Sequence, residues 1–404
     1  MELGGVQVLG GDANVARVQN MGRHVEVGLT SLAIVDYESL RSVEREQMWQ
    51  DALRREHHIF RDALPSAYRQ AVLELAGFCQ FYKTLLDRRE HQNPGHTLEI
   101  AKEAFPAMQR GWIELSSRAA DCAVEFLDDR ETLEEARLVS EALVTPYLLE
   151  APVLRRAYEK PLGYAGDYVV MQHYFANSFE GANSFGMVFH KITNEHPLSA
   201  GVRTRSEWIA ELIRERAKRA NGSGPLRVLS LGSGIGAEVG LVHLGADAES
   251  VPVRWTLIDQ EDQALALAYR NARKIHANGV PAPAVTCVNV SFSQLFGGEI
   301  APDTWGRQDV IFALGLFDYL PESSASALIA GLYSLLREGG VVVIGNAAKP
   351  NSHFWEPELA LRWSLLYRDR EEMVRLGASL PSQAVLHVEA EPLGAYRILT
   401  CQRS

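Results

Sequence analysis

From residue 225 onward the sequence alternates short apolar runs rich in Val, Ile and Leu with longer segments of helical periodicity. The apolar runs fall near 226–231, 253–258, 284–290, 308–314 and 340–346, and the helical segments near 237–244, 260–277, 322–337 and 356–377. Strands joined by helical crossovers make a mostly parallel sheet covered on both faces. The last two apolar stretches, VLHVEAE and AYRILTCQ, have only Pro392-Leu393-Gly394 between them. A parallel crossover needs a dozen or more residues, so these two run antiparallel. The expectation is an α/β fold of seven strands that ends in an antiparallel hairpin.

The chain is 404 residues long, more than one core usually spans, and the text before residue 200 reads differently. Residues 1 to about 35 read as an irregular arm with one or two short strands, and 39–150 as about four helices. Leu98, Ala101, Phe105, Met108, Trp112 and Leu115 recur at three- and four-residue steps, which gives one apolar helix face. Asn93-Pro94-Gly95 breaks the pattern before it, and Thr132 with Glu135 reads as a capping box opening a helix to about Leu149. Residues 151–200 have poor periodicity and read as a loop-rich connection, and a helix over 204–220 ends at Asn221-Gly222-Ser223-Gly224-Pro225. The expected organisation is an N-terminal, mainly α-helical domain over 1–150, a connecting segment over 151–200 lying across the active site, and the sheet domain over 201–404.

The formal charge is −11 with no long Lys/Arg run, so the electrostatic source for binding DNA or RNA is missing, and nucleic acid is set aside as a partner. No 18-residue apolar run and no signal-like N-terminus occurs, which predicts a cytoplasmic protein without an integral membrane segment. Cys79, Cys122, Cys287 and Cys401 form no CxxC pair, so neither a metal site nor a disulfide framework is expected.

Between the first strand and the next helix, Val228 to Gly236 reads VLSLGSGIG. Glycines at 232, 234 and 236 let backbone N–H groups approach a polar ligand at a helix N-terminus. With Ala237 the run also meets the loose dinucleotide pattern GxGxxG/A, a weak signal alone. Asp259 ends the next strand, where a carboxylate can accept from both hydroxyls of a ribose, or cap the helix that begins at Gln260; the two roles can coexist. Loop and carboxylate together predict an adenosine pocket, which fits a dinucleotide and S-adenosyl-L-methionine alike.

LLREGGVVVIGN (Leu335 to Asn346) resembles the Leu-x-Pro-Gly-Gly turn of class I S-adenosylmethionine-dependent methyltransferases, with Glu338 where proline is usual. That family also ends in a hairpin whose seventh strand opposes the others. The resemblance implies a Rossmann-like methyltransferase sheet, S-adenosyl-L-methionine as cofactor, and enzyme activity. Ser230 departs from the family's usual acidic residue ahead of the glycines. VLSLGSGIGAEV nonetheless resembles a bacterial subgroup with a loop near LSLGCGPAxEV, which puts Glu238 at the acidic position. KPLGYAGDY (Lys160 to Tyr168), GLFDYL (Gly315 to Leu320) and WSLLYRDREEM (Trp363 to Met373) are similar to further motifs of that subgroup, which includes the 3-hydroxypalmitate methyl ester synthases.

The resemblance implies roles for particular residues. Gly232, Ser233, Gly234 and Gly236 face the amino-acid end of the cofactor, Asp259 holds its ribose, and Gln260, Asn289, Val290 and Ser291 border the adenosine. Arg203 or Arg205 meets the cofactor carboxylate, or is a solvated arginine at a helix start. Tyr164 and Asp167 join the cofactor site, Asp167 accepting from its ammonium, while Tyr168 helps wall the substrate chamber; the alternative is a turn that packs its tyrosines. Phe317, Tyr319 and Asp318 stand beside the transferable methyl, with Phe317 equally suited to core packing. His353 is the candidate base or an ordinary surface histidine, Trp355 sits at the same sheet edge, and Tyr367 and Arg368 serve substrate binding or packing.

A carboxylic acid is ionised near neutral pH and needs no base, whereas a hydroxyl acceptor calls on His353 or Asp318. The leading expectation is a small-molecule O-methyltransferase that esterifies the carboxylate of a fatty or other apolar acid, with the N-terminal helices as lid or substrate selector. The alternatives are an N- or hydroxyl O-methyltransferase of a specialised metabolite, and a cofactor-binding sensor or scaffold that transfers nothing.

Overall fold

A computed structural model describes residues 2–3, 6–7, 14–20, 25–30, 64–220, 224–244, 252–277, 282–290, 294 and 305–404. Near the N-terminus lie two antiparallel pairs, β1 (Glu2–Leu3) with β2 (Val6–Gln7) and β3 (Asn14–Asn20) with β4 (Val25–Thr30). The chain divides into two compact units.

The first unit takes the described residues up to Arg155 together with Phe179–Ile192 and Phe354–Arg362. Its helices Ser66–Gln92 and Thr97–Ala123 are separated by the Asn93-Pro94-Gly95 turn, with Gly95 at φ +87°. Ala101, Met108, Trp112 and Leu115 are buried as their spacing requires, whereas Leu98 is exposed. The next helix starts earlier than its sequence pattern indicates. Asp129, not Thr132, caps Arg130–Leu143 by accepting from the amides of Glu131 and Thr132, and Thr132 donates its own hydroxyl to Asp129. A second short helix, Thr145–Leu148, follows. The core of this unit is aromatic. Trp112 packs edge-on against Phe189 and Trp355, and its indole donates to Glu356 at 3.1 Å.

The second unit holds Arg156–Ser178, Thr193–His353 and Trp363–Ser404. Its sheet contains β5 (Leu226–Leu231), β6 (Val253–Asp259), β7 (Ala284–Asn289), β8 (Gln308–Ala313), β9 (Leu336–Ala347), β10 (Val385–Ala390) and β11 (Tyr396–Gln402). The strand order is β10-β11-β9-β8-β5-β6-β7. Strands β5 to β9 pair in parallel, and β11 runs antiparallel to both β9 and β10. The expected α/β sheet, with its antiparallel last strand, is the one that forms.

Period-two alternation explains why these runs are strands. Val228, Val310 and Val341 face one apolar layer with Ile209, Ile213, Val239 and Leu265 from helices. Their neighbours Leu229, Ile311 and Val342 face the opposite layer with Ile329, Leu332 and Met373. Both faces are therefore covered, as a parallel sheet demands. Each such buried aliphatic side chain is worth roughly 1.5–3 kcal/mol.

Four expectations change. Residues 151–200, read as loop-rich, are mostly helical, with helices Pro152–Glu159, Tyr168–Ala176 and Ser184–Glu195. The single helix expected over 356–377 is instead a π-helical turn, Glu356–Ala360, then extended chain, then the helix Arg370–Leu376. Arg362 at φ +49° interrupts it, and a capping box between Asp369 and Glu372 restarts it. The double glycine does not precede β9 but bulges within it, where register jumps between Gln308 and Val310. Gly339 has φ +76°, and a Cβ on Gly340 would lie 2.9 Å from the Arg337 carbonyl oxygen and 3.1 Å from that of Gln308. The expected helix over 204–220 begins earlier, as Pro197–Arg219, because His196 caps it by accepting from the Leu198 amide.

Candidate functional site

From β5 the chain winds outward through β6 and β7, then returns to β8 and winds the other way. Such a reversal opens a crevice beyond the carboxyl ends of β5 and β8. The glycine loop follows β5, Asp259 ends β6, and residues 314–320 follow β8, so the fold alone gathers these segments.

Gly232, Gly234 and Gly236 have φ of +68°, +49° and +63°, a region costly for any other residue. The amides of Gly232 and Ser233 donate to the Ile258 carbonyl at 2.9 and 3.0 Å, which ties the loop to β6. Gly234 donates to Asp259 Oδ2 at 2.8 Å, and Glu261 donates to Asp259 Oδ1 at 3.0 Å. Burial pushes the Asp259 carboxyl above the ordinary range, and these amide bonds oppose the shift. A Cβ on Gly234 would meet nothing within 4 Å, while one on Gly236 would lie 3.0 Å from Ala268 Cβ. Gly234 thus opens onto space, and Gly236 permits loop-to-helix packing.

Beside Asp259, Asn289 Nδ2 donates to the carbonyls of Asp259 and Gln260 at 3.2 and 2.9 Å, and the Val290 amide donates to Asp259 O at 3.1 Å. These bonds fix the backbone that carries the carboxylate. Ser291 lies outside the described residues.

KPLGYAGDY runs along the same rim. The Gln260 side chain hydrogen-bonds the Tyr164 hydroxyl, and burial, then the nearby Asp259 charge, push that phenol upward. Tyr168 donates to Gln263 Oε1 at 2.8 Å. Two residues beyond Tyr164 the strap reaches a different wall: a Cβ on Gly166 would lie 2.8 Å from Trp363 Cζ2 and 3.1 Å from Tyr319 Oη. Asp167 is corrected. It is buried, caps Tyr168–Ala176 through the amides of Val169 and Val170, and takes the Arg156 guanidinium at 2.7 Å. Its oxygens hold the strap rather than waiting for an ammonium.

The two candidate arginines separate. Arg203 donates through Nη1 to the carbonyls of Tyr174 and Asn194 at 2.7 and 2.8 Å and so braces the fold. Arg205 is buried, stands 4.0 Å over the Tyr396 ring, and has Nη1 4.0 Å from Asp318 Oδ2. Its Nε and Nη1 have no hydrogen-bond partner among the described residues. A buried unsatisfied guanidinium is expensive, and such groups usually await a ligand or water. Spacing carried the signal: Val202, Arg205 and Ile209 share one buried helix face.

Carboxylates surround this arginine. Asp318 is buried and accepts the Ala347 amide at 2.6 Å; burial raises its carboxyl, and Arg205 opposes the shift. Glu238 accepts from Ser206 Oγ at 2.7 Å, and burial raises it too. The Ser233 hydroxyl is also buried with no partner among the described residues. Ser206 and Tyr396 were not found from the sequence, since neither lies in a motif.

On the β8 side, the Tyr319 hydroxyl accepts from Trp363 Nε1 at 2.8 Å, and burial keeps the phenol well above its ordinary range. Phe317 is fully buried in the apolar layer under the sheet, so it packs the core and lines no chamber. Arg368 is corrected as well. It donates to the Phe317 carbonyl at 2.8 Å, to Asn346 Oδ1 and to the Leu320 carbonyl, which spends it on fixing the 317–320 turn. Tyr367 is half-buried beside it in the chain. Trp355 belongs to the other unit, where it is 1 % exposed and donates to Tyr68 at 3.1 Å; it is a core residue. His353 packs edge-on against His196, with ring centroids 5.6 Å apart, and its amide donates to Asn351. Burial lowers its pKa, and no described contact joins it to Asp318, Tyr319 or the glycine loop.

No family model and no curated protein matches the sequence. Solved structures do align with it. Magnesium protoporphyrin IX methyltransferase from Synechocystis PCC 6803 with bound SAM is 14% identical, with a TM-score of 0.38 over 62% of this chain and 96% of that one. The N-methyltransferase NodS from Bradyrhizobium japonicum, in complex with S-adenosyl-l-homocysteine, is 16% identical, with a TM-score of 0.31 over 47% and 86%. The S-adenosylmethionine-dependent methyltransferase SibL in its apo form is 12% identical, with a TM-score of 0.37 over 82% and 96%. Strand order and direction make the fold that of a class I S-adenosylmethionine-dependent methyltransferase, a seven-stranded sheet whose last strand opposes its neighbours.

Proposed function

We propose that the chain is an S-adenosyl-L-methionine-dependent methyltransferase that converts the carboxylate of a small apolar acid to its methyl ester. The observation that carries this reading is the pairing of a glycine loop, held by Asp259 and open at Gly234, with a buried arginine whose Nε and Nη1 have no hydrogen-bond partner among the described residues. These residues fit the cofactor: Asp259 still has lone pairs for two ribose hydroxyls, Gly234 leaves room, and Arg205 offers a two-pronged match to an amino-acid carboxylate. The bound cofactor supplies an electrophilic methyl group on a sulfonium.

The protein's task is then to hold an acceptor in line and exclude water, which can supply roughly 7–11 kcal/mol through orientation. Asp318 is a poor general base, because it is already occupied by the Ala347 amide and flanked by Arg205. His353 contacts none of the site residues, so a base-free acceptor is the simplest chemistry. A carboxylate meets that requirement. The motifs around Lys160, Gly315 and Trp363 support membership of the subgroup of fatty-acid methyl ester synthases. No described helix is long and apolar enough to cross a membrane, and four free cysteines fit a reducing, cytoplasmic setting.

Incubation with S-adenosyl-L-methionine labelled at the methyl group and a panel of straight-chain acids is expected to give base-labile, labelled esters. A base-stable amine or ether product overturns the carboxylate assignment, and failure to bind S-adenosylhomocysteine overturns the cofactor.

A further inference from the structure

Trp363 opens the WSLLYRDREEM motif. Its indole Nε1 donates to the Tyr319 hydroxyl at 2.8 Å. A phenol oxygen that accepts an N–H keeps its own hydrogen for another partner. No described residue accepts that hydrogen, and Tyr319 remains 39 % exposed although its hydroxyl sits against Gly166 and Trp363. Residue 319 also follows β8, on the rim of the crevice where the sheet order reverses. The strap contributes the third member: any side chain at Gly166 would strike the Trp363 ring and the Tyr319 oxygen, so glycine there lets strap and ring pair close together.

We propose that Trp363 orients Tyr319 as a hydrogen-bond donor to the acceptor, so that this wall of the site selects an anionic oxygen acid over the corresponding alcohol. Tyr319 touches the acceptor, and Trp363 is a positioning residue acting through it. The donated hydrogen bond goes to the carboxylate oxygen that is not methylated, leaving the other free to attack. An alcohol has one oxygen, which must lose its own proton to attack, and a hydrogen-bond donor gives no help with that. A hydrogen bond to a charged acceptor is worth about 1.5–3 kcal/mol, or roughly 10- to 150-fold in affinity.

The inference rests on the methyltransferase reading, and the test separates the two. Calorimetry of the full chain with S-adenosylhomocysteine comes first; absence of binding removes the methyltransferase reading and this proposal with it. Dodecanoate and dodecanol are then titrated into the S-adenosylhomocysteine complex of the wild type, Tyr319→Phe and Trp363→Phe. The expected result is at least a 10-fold preference for dodecanoate in the wild type. Tyr319→Phe should largely remove that preference by weakening dodecanoate far more than dodecanol, because the bond to a charged oxygen is the stronger one, and Trp363→Phe should reduce it in the same direction. A merely structural Trp363–Tyr319 bond would weaken both ligands equally. Equal weakening, an unaltered preference in Tyr319→Phe, or no acid preference at the start overturns the proposal while leaving cofactor binding intact.

Discussion

Asp259 holds the Gly234 amide at 2.8 Å with one carboxylate oxygen and the Glu261 amide at 3.0 Å with the other. The residue assigned to the ribose therefore also anchors the loop assigned to the amino-acid end. Ligand affinity should be sensitive to it out of proportion to one contact.

Asp259→Asn keeps the shape but cannot accept with both side-chain heteroatoms. Loss of charge-assisted bonds to a ribose at about 1.5–3 kcal/mol in total predicts S-adenosylhomocysteine binding weaker by roughly 10- to 150-fold. Titration calorimetry checks this, and a loss under threefold would remove Asp259 from the site.

Gly234 and Gly236 look alike in sequence but should fail differently. Both have positive φ, which costs a substituted alanine about 1–2 kcal/mol. At Gly234 the added methyl meets open space, so Gly234→Ala should fold with that modest loss yet bind S-adenosylhomocysteine poorly if the proposed cofactor site is right, because the methyl would project into it. At Gly236 the methyl lies 3.0 Å from Ala268 Cβ and 3.4 Å from Leu257 Cδ1, so crowding adds to the strain and the loss should reach about 3 kcal/mol. Urea unfolding alongside calorimetry distinguishes the two; equal stability losses would contradict the geometry.

These contrasts mark where sequence reading reaches and where it stops. Strands β5, β6, β8 and β9 were legible because both their faces are buried, which writes continuous apolar runs into the chain. The glycine loop and Asp259 were legible because their positions follow from strand ends. Arg203 and Arg205 could be told apart only by helix phase, which puts Arg205 with Val202 and Ile209 and leaves Arg203 to brace carbonyls. Trp355 and Phe317 misled because a motif position near a sheet end does not say which way a ring points, and both point into packed interiors. The interruption of 356–377 falls at Arg362, whose guanidinium donates to Glu134, 228 residues away, a contact that no local pattern encodes.

Arg205→Met tests the amino-acid end. Replacing the guanidinium with an apolar chain removes the cation beside buried Asp318, so the ligand-free protein is expected to lose roughly 3–5 kcal/mol of stability. S-adenosylhomocysteine should bind roughly 30-fold more weakly, as losing about 2 kcal/mol implies, while 5′-methylthioadenosine, which lacks the amino-acid tail, keeps its affinity. An equal loss for both ligands would place Arg205 outside the carboxylate contact.

His196 gives the second unit a dependence on acid. It caps Pro197–Arg219 by accepting the Leu198 amide on Nδ1, and it stands beside His353. Burial, followed by the His353 ring, pushes its pKa down from 6.5 to about 3. Because the folded value is depressed, the unfolded chain binds the extra proton below pH 6.5 and the folded chain does not. The stability contribution is therefore complete above pH 6.5 and is lost as pH falls from there towards 3. Between pH 7 and pH 5 this one group should remove about 1–2 kcal/mol. His243 and His353, both lowered by burial, act in the same direction. His196→Asn supplies a good capping side chain that does not titrate in this range. Urea midpoints measured at pH 7 and pH 5 should fall less in His196→Asn than in the wild type, by an amount that corresponds to the His196 share. An identical fall in both proteins would mean that the cap titrates no differently folded and unfolded.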